Sequence, residues 1–369
     1  MEAGIYDLLK ATGIKAKRLK QHDLKQHDLK QQDLKQQDLK QQDLNMELIK
    51  VQQLVKKFDE LVAVDDVSFS IGQGEVFGFL GPNGAGKTTT LSILSTLLKP
   101  TSGKAYVNGY DVENQKSQVR KSIGVVFQDP TLDEELTARE NMDIHGRLYG
   151  MRNRREKIDE LLKLVELENR KNQLVKQFSG GMKRRLEIAR GLLHEPQILF
   201  LDEPTLGLDP QTRNHLWDYI RELNRRKGVT IILTTHYMDE AEKLSNRVAI
   251  IDHGKIIAMD TPKALKEQLG GSLIRIESPQ SNKIYEKLNG LTWLNTKNTH
   301  NGYVDVTLKN AEQRVAEVIK LLNDVPIESV SLQIPTLEDV FLSYTGKTIR
   351  EQEATAKDRI RQRQKASRR

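Results

Sequence analysis

The sequence contains no cysteine, which excludes disulfides, thiol catalysis and Cys-ligated zinc or iron–sulfur sites and agrees with a reducing compartment. No apolar run approaches the roughly 18–20 residues of a membrane span, and the amino terminus lacks the charged-then-apolar order of a signal peptide. A soluble, cytosolic chain is therefore expected. Aromatic residues make up only 5% of the chain, and they form no basic–aromatic platform of the kind that stacks nucleic-acid bases. The formal net charge is +7, but most of the excess sits after Gly346, so the basic balance describes the tail rather than the body.

What is present divides the 369 residues into four stretches. Residues 1–45 are dominated by a five-residue unit, K-Q-[HQ]-D-L, repeated five times from Lys20 to Leu44. Five residues advance a helix by about 140° beyond a full turn, so the repeated leucines scatter round the axis, and an odd period alternates the faces of a strand. The unit matches neither regular period, and its polar residues keep it solvated; a disordered or loosely helical extension is expected. His22 and His27 lack the i, i+4 spacing of a helical metal pair. Met46, just beyond the repeat, is a possible alternative start. Residues 46–270 alternate short apolar runs with helical stretches, 271–345 after Gly270-Gly271 read as a small α+β domain, and 346–369 are polar and basic.

The chemistry begins at Gly78 to Thr90, GFLGPNGAGKTTT. Val76 to Leu80 reads as a buried strand, Gly81 to Gly86 as a glycine-rich turn, and Lys87 as the opening of a helix reaching about Leu98. Backbone N–H groups in such a turn curl round a phosphate, and the following helix presents its positive end to the same anion. Gly81, Gly86, Lys87 and Thr88 satisfy G-x-x-x-x-G-K-[ST]. Lys87 supplies a point charge for the β- and γ-phosphates, and the Thr88 hydroxyl suits Mg²⁺. Asn83, Gly84, Ala85 and Thr89 complete the expected cradle.

A second signal follows the apolar run Ile198–Leu201. Asp202 and Glu203 emerge at the strand's carboxyl end, where an open α/β sheet binds ligands. Asp202 is suited to hold Mg²⁺ and Glu203 to orient and deprotonate an attacking water. Runs such as Ile198–Leu201 and Val229–Leu233 suit strands buried on both faces of a largely parallel sheet. Ahead of both, the stretch from Thr137 to about Leu193 is helical in period. Ser179-Gly180-Gly181-Met182 precedes a basic helix, and a serine with paired glycines at a helix start makes a second anion site that a single phosphate loop does not need. A composite site is implied.

With these motifs the sequence resembles the nucleotide-binding domain of ATP-binding cassette (ABC) transporters, FSGGM standing where LSGGQ is usual. The resemblance implies a P-loop NTPase core with a helical insert, binding ATP and Mg²⁺. It also implies a role for Gln128 after Ile123–Phe127, as the glutamine that senses Mg²⁺ and couples to the membrane subunit. Asp209, in Gly207-Leu208-Asp209, matches the loop that crosses a dimer interface, and His236 the switch histidine at the γ-phosphate. Phe58 matches the aromatic that stacks on adenine, though a lone aromatic fits a core equally well. Asp129–Asp133, FSGGM and Pro335–Leu342 narrow the likeness to daunorubicin-resistance ATPases with a small C-terminal domain.

The implied protein is a homodimeric ATPase subunit that drives an ABC-2-type membrane permease from the cytoplasmic face of the cell membrane, with its coupling surface near Gln128 to Tyr149. In the dimer, Ser179, Gly180 and Gly181 of one copy face the phosphate loop of the other. The rival is a soluble ABC ATPase acting on ribosomes or nucleic acid, which the basic tail suggests and the single cassette opposes. No nucleic-acid partner is expected.

Overall fold

The computed structural model describes residues 47–346, except 290, 292, 295, 301, 309 and 310. The pentapeptide repeat, with His22 and His27, and the basic tail lie outside the described residues. The described chain opens with two long strands, β1 (Glu47–Phe58) and β2 (Leu61–Gly72), followed by β3 (Val76–Leu80), helix α1 (Lys87–Leu94), β4 (Ser102–Val107) and β5 (Tyr110–Asp111). Helix α2 (Lys116–Ser122) leads to β6 (Ile123–Val126), and the helical insert contains α3 (Ala138–Leu148) and α4 (Arg154–Leu164). Helix α5 (Gly180–Leu192) returns the chain to β7 (Ile198–Asp202); α6 (Pro210–Lys227), β8 (Thr230–Thr235), α7 (Met238–Leu244) and the hairpin β9 (Arg247–Asp252) and β10 (Lys255–Asp260) follow.

Six of these strands form one sheet in the order β10-β9-β3-β8-β7-β6, parallel except for the antiparallel edge strand β10. The continuous apolar runs are explained by what covers each face. Phe77, Phe79, Ile198, Phe200 and Ile232 point to one core with β1, β2, β4 and α1, while Val76, Leu199, Leu201, Ile231 and Leu233 point to another with α3 to α6. A strand covered on both faces reads as a near-continuous apolar run, and in β7 and β8 the buried polar residues are confined to the strand ends. Phe69, Phe77 and Phe79 interlock, with centroids 5.2–5.6 Å apart. The second sheet, in the order β2-β1-β4-β5, lies on the phenylalanine side.

Helix α1 ends at Leu94, one turn before the Leu98 that periodicity suggests. Thr96 adopts a left-handed φ of 66°, and the N–H of Leu97 turns back to Ser92 O at 2.9 Å, which stops the helix locally. Helix α3 begins as its sequence dictates: the Thr137 hydroxyl accepts from Glu140 N–H, and the Glu140 carboxylate accepts from Thr137 N–H at 2.8 Å.

Beyond helix α8 (Pro262–Glu267) come β11 (Ser272–Glu277), α9 (Ser281–Leu288), β12 (Thr296–His300), β13 (Tyr303–Leu308), α10 (Ala311–Leu321), β14 (Ser329–Gln333) and α11 (Leu337–Thr345). Thr292–Asn295 reads as a strand from its sequence, and falls partly outside the described residues; the strand present begins at Thr296. The sheet is antiparallel in the order β12-β13-β11-β14, and Ile274, Ile276, Val304 and Val306 meet the apolar faces of α9 and α10. On its other face Arg275 makes a two-pronged ion pair with its cross-strand partner Asp305, both contacts at 2.8 Å. Helix α11 leaves this core. Its Leu337, Val340 and Phe341 pack instead with Leu80 at the end of β3, Ala241 in α7, and Val248, Ile250 and Leu265.

Candidate functional site

The loop after β3 is shaped by close backbone approach. A Cβ on Gly81 would lie 2.2 Å from Ile251 O, and one on Gly86 would lie 2.4 Å from Ala63 O at a φ of +106°. Packing therefore requires both glycines, and at Gly86 the left-handed conformation does so as well. The loop is tethered on both sides: Gly81 N–H donates to Thr235 O at 3.3 Å, and Ala85 O accepts from Gly254 N–H at 2.9 Å. Ala85 is buried, whereas Asn83 and Gly84 are exposed at the loop's crest. Helix α1 has no side-chain cap at Gly86, so its first N–H groups face the loop's concavity, which suits an anion.

Two strands away in the same sheet, β7 delivers the carboxylates. Asp202 sits opposite Thr234 of β8, and Leu80 of β3 sits opposite Thr235, so sheet register alone brings Asp202 beside α1. One oxygen of Asp202 accepts from the Thr88 hydroxyl at 3.0 Å and from the Thr234 hydroxyl at 2.5 Å. Glu203 leaves the strand with a left-handed φ of 48°. Its N–H is shared between Thr234 O at 3.1 Å and Thr234 Oγ1 at 3.0 Å.

That backbone turn carries the Glu203 side chain across the loop. Oε1 lies 3.3 Å from Lys87 Nζ and makes no hydrogen bond, while Oε2 is 2.8 Å from His236 Nδ1. Lys87 also donates to Gly81 O at 2.7 Å and Pro82 O at 3.1 Å. The Lys87 and Glu203 side chains are both about 95% buried, where one without its partner would be strongly unfavourable. Lys87, Thr88, Asp202, Glu203 and His236 thus converge. Among the described residues no three His, Asp or Glu side chains gather to hold a metal by themselves. A divalent ion here would take Thr88 and Asp202 together with the phosphates it accompanies, the usual manner for Mg²⁺, and these residues fit it.

The other expected residues occupy different positions. Gln128 is exposed on the bend after β6, the sheet neighbour of β7. Ser179 and Gly180 are exposed at the start of α5, and the Ser179 hydroxyl caps that helix by accepting from Met182 N–H at 3.3 Å. Gly181 is buried against α6, where a Cβ would meet Thr212 Cγ2 at 2.3 Å. Asp209 caps α6, accepting from Thr212 N–H at 3.0 Å, and hydrogen bonding with the Thr212 side chain, then with its N–H, holds the carboxyl below the usual range. Phe58 is 41% exposed at the tip of the β1–β2 turn, beside exposed Leu61 and Val62, and so is not a core aromatic. The same hairpin brings Ala63 against Gly86.

Comparison with known proteins gives this arrangement its relatives. Residues 64–206 match the family described as ABC transporter, and residues 261–345 match ATP-binding protein DrrA1-3-like, C-terminal domain. Daunorubicin resistance ATP-binding protein DrrA3 of Streptomyces coeruleorubidus is 39% identical over 312 residues, covering 83% of this chain and 98% of the relative. This chain belongs to the DrrA-type ATP-binding proteins of the ABC transporter family. Linearmycin resistance ATP-binding protein LnrL of Bacillus subtilis is 36% identical over 312 residues, covering 82% of this chain and all of the relative. Among solved structures, the dimeric post-hydrolysis state of an ATP-binding cassette bound to ADP and Pi shares 31% identity at a TM-score of 0.53, across 58% of this chain and 98% of the other. The fold is that of the ABC-type P-loop ATPases.

Two polar residues of this ABC cassette escape a motif-based reading. Thr234 links the Asp202 carboxylate to the backbone N–H of Glu203, and its only sequence signal is a polar residue ending an apolar strand. Glu240 in α7 is fully buried; its Oε1 accepts from the Thr205 hydroxyl at 2.8 Å and from Trp217 Nε1–H at 2.9 Å. Burial pushes the Glu240 carboxyl up, and the bonds to Thr235, Trp217 and Thr205 only partly offset this. Nothing in its sequence context separates it from the exposed acids on either side.

Proposed function

We propose that this chain is the ATP-hydrolysing subunit of an ABC exporter, acting as a homodimer at the cytoplasmic face of the cell membrane and driving a separate ABC-2-type permease. The observation that carries the reading is Glu203, buried with one oxygen on His236 and the other, free of hydrogen bonds, facing Lys87. The drug-resistance relatives and the dimeric cassette bound to ADP and Pi support the export and dimer parts. Among the described residues no helix is long and apolar enough to cross a membrane, so transport requires a partner.

The roles follow from position. Lys87 and the backbone N–H groups of Asn83, Gly84 and Gly86 to Thr89 bind the ATP phosphates, and Phe58 at the exposed hairpin tip stacks on adenine. Thr88 and Asp202, with Gln128, would hold Mg²⁺, which when bound would supply positive charge against the phosphate oxygens. As Lys87 turns to the phosphates, Glu203 Oε1 loses its counter-ion and becomes the acceptor for a proton from the attacking water. His236 holds the opposite oxygen and so sets the plane of the carboxylate. Ser179 and Gly180, at the exposed start of α5, with Gly181 buried behind them, meet the phosphates bound to the other copy, with Asp209 at the interface. Exposed Ile144, Leu148 and Tyr149 of the insert are the surface offered to the permease.

Glu203→Gln tests the reading. The substitution keeps shape but removes the proton acceptor, so the variant should bind ATP, accumulate as an ATP-bound dimer in size-exclusion chromatography, and lose about 10²-fold or more in phosphate release. Full steady-state turnover would refute Glu203 as the base.

A further inference from the structure

Helix α5 carries Arg184, Glu187 and Arg190 at three-residue spacing, on the side facing the carboxylates rather than at its serine–glycine start. Arg184 and Glu187 are 7% and 2% exposed and form an ion pair at 3.0 Å. The guanidinium is shared among three stretches of backbone. Its Nε donates to Pro204 O at 2.9 Å, its Nη2 to Asp202 O at 2.7 Å, and its Nη1 to Phe127 O.

Asp202 O and Pro204 O bracket Glu203, the one residue of this turn with a left-handed φ and no glycine to make it easy. Phe127 immediately precedes Gln128. At the far shoulder of the Gln128 loop, Glu187 Oε1 accepts from Thr131 N–H at 2.8 Å, and Arg190 donates to Thr131 O at 2.8 Å. One rigid helix therefore grips the Gln128 loop at both ends and the Glu203 turn at both flanking carbonyls. Among the described residues, Arg184 is the side chain whose hydrogen bonds reach both.

We propose that Arg184 is a positioning residue that holds Glu203 in its productive backbone conformation and fixes the Gln128 loop to it. The proposal rests on the reading of Glu203 as the base. Three donors aimed in a planar fork at three separate carbonyls are something only a guanidinium supplies; an ammonium in the same place keeps the charge opposite Glu187 but cannot span the fork. Lys87 and the phosphate loop do not contact Arg184 through any of these bonds, so nucleotide affinity and turnover should separate.

The test uses the full chain and its own ATPase activity, with ATP affinity measured separately by fluorescent-nucleotide binding and folding by thermal denaturation. Arg184→Lys, which retains a partner for Glu187, should lower kcat about 10- to 100-fold, since misplacing a catalytic group by about 1 Å costs on the order of 10²-fold. Its nucleotide affinity should stay within about threefold of the parent. The double variant R184M/E187Q, which leaves no buried charge unpaired, should show the same split. A folded Arg184→Lys variant with kcat within twofold of the parent overturns the proposal, as does loss of affinity in step with kcat. Glu203→Gln measured alongside separates the two ideas: full turnover there removes the base and this proposal together, whereas a dead Glu203→Gln with normal Arg184→Lys removes this proposal alone.

Discussion

Gly81→Ala tests whether backbone crowding, rather than conformational freedom, shapes the phosphate loop. The added methyl would lie 2.2 Å from Ile251 O, about 1 Å inside an ordinary C···O contact of roughly 3.3 Å. Ile251 sits in β9, which is paired on one side with β3 and on the other with β10, so the carbonyl is not free to retreat. The loop must move instead. Overpacking of this kind costs about 1–3 kcal/mol of stability. Displacing the loop also weakens two or three charge-assisted hydrogen bonds to phosphate, a loss of about 3 kcal/mol in total and so about 10²-fold in Kd.

Gly84→Ala is the control. Gly84 has a φ of +84°, but a Cβ there meets nothing within 4 Å. Its cost is the left-handed strain of an L residue, about 1–2 kcal/mol, with no neighbour displaced. ATP affinity by calorimetry and unfolding midpoint by fluorimetry distinguish the two: Gly81→Ala should lose about 10²-fold in affinity and Gly84→Ala at most about tenfold. Gly81→Ala binding ATP within threefold of the parent, or Gly84→Ala proving the more damaging, would refute the reasoning.

Two further outcomes are expected. Phe341→Ala removes a fully buried ring from the contact between α11 and the cassette, a change that costs about 3–5 kcal/mol. Amide exchange in 337–345 should accelerate sharply while 198–202 stays protected; unchanged exchange in α11 would contradict the packing described. His145, its ring tilted against those of Tyr149 and His194, is pulled down to about 4 by burial, with Arg190 and His194 adding to the effect. The ring is neutral in the fold, and the unfolded chain binds its proton first, so this stability is present above about pH 6.5 and is lost as pH falls towards 4. Allowing for the ring's partial exposure, the loss is about 2 kcal/mol at most. His145→Phe should flatten the fall in unfolding midpoint between pH 7 and pH 4.5, and an identical pH profile in the variant would exclude His145 as its source.

Much of the fold was legible because burial on both faces writes itself as an unbroken apolar run. Val76–Leu80 and Ile198–Leu201 read as strands for that reason, and their alternate residues do divide between two cores. Arg247–Asp252 went unread although it pairs directly with β3, because its apolar stretch is short and lies between a helix end and a turn. The helix from Lys87 ran one turn too long on paper because the left-handed Thr96 that stops it is not a residue type that signals a stop. The last helix was assigned to the small α+β domain by its place in the chain, yet its apolar face is satisfied by Leu80 and Ala241 instead.

The sequence by itself determined the class of the protein: the glycine-rich loop with Lys87 and Thr88, the acid pair after a buried strand, and the serine–glycine helix start are local patterns in which spacing encodes geometry. Tertiary structure alone decided which oxygen of Glu203 faces Lys87, that Thr234 joins the Asp202 carboxylate to the Glu203 backbone, and that Arg184 grips the peptides on either side of Glu203. The physical reason is separation along the chain. Lys87 and Glu203, or Phe127 and Arg184, meet only after strands far apart in sequence have paired in one sheet, and no periodicity records that meeting.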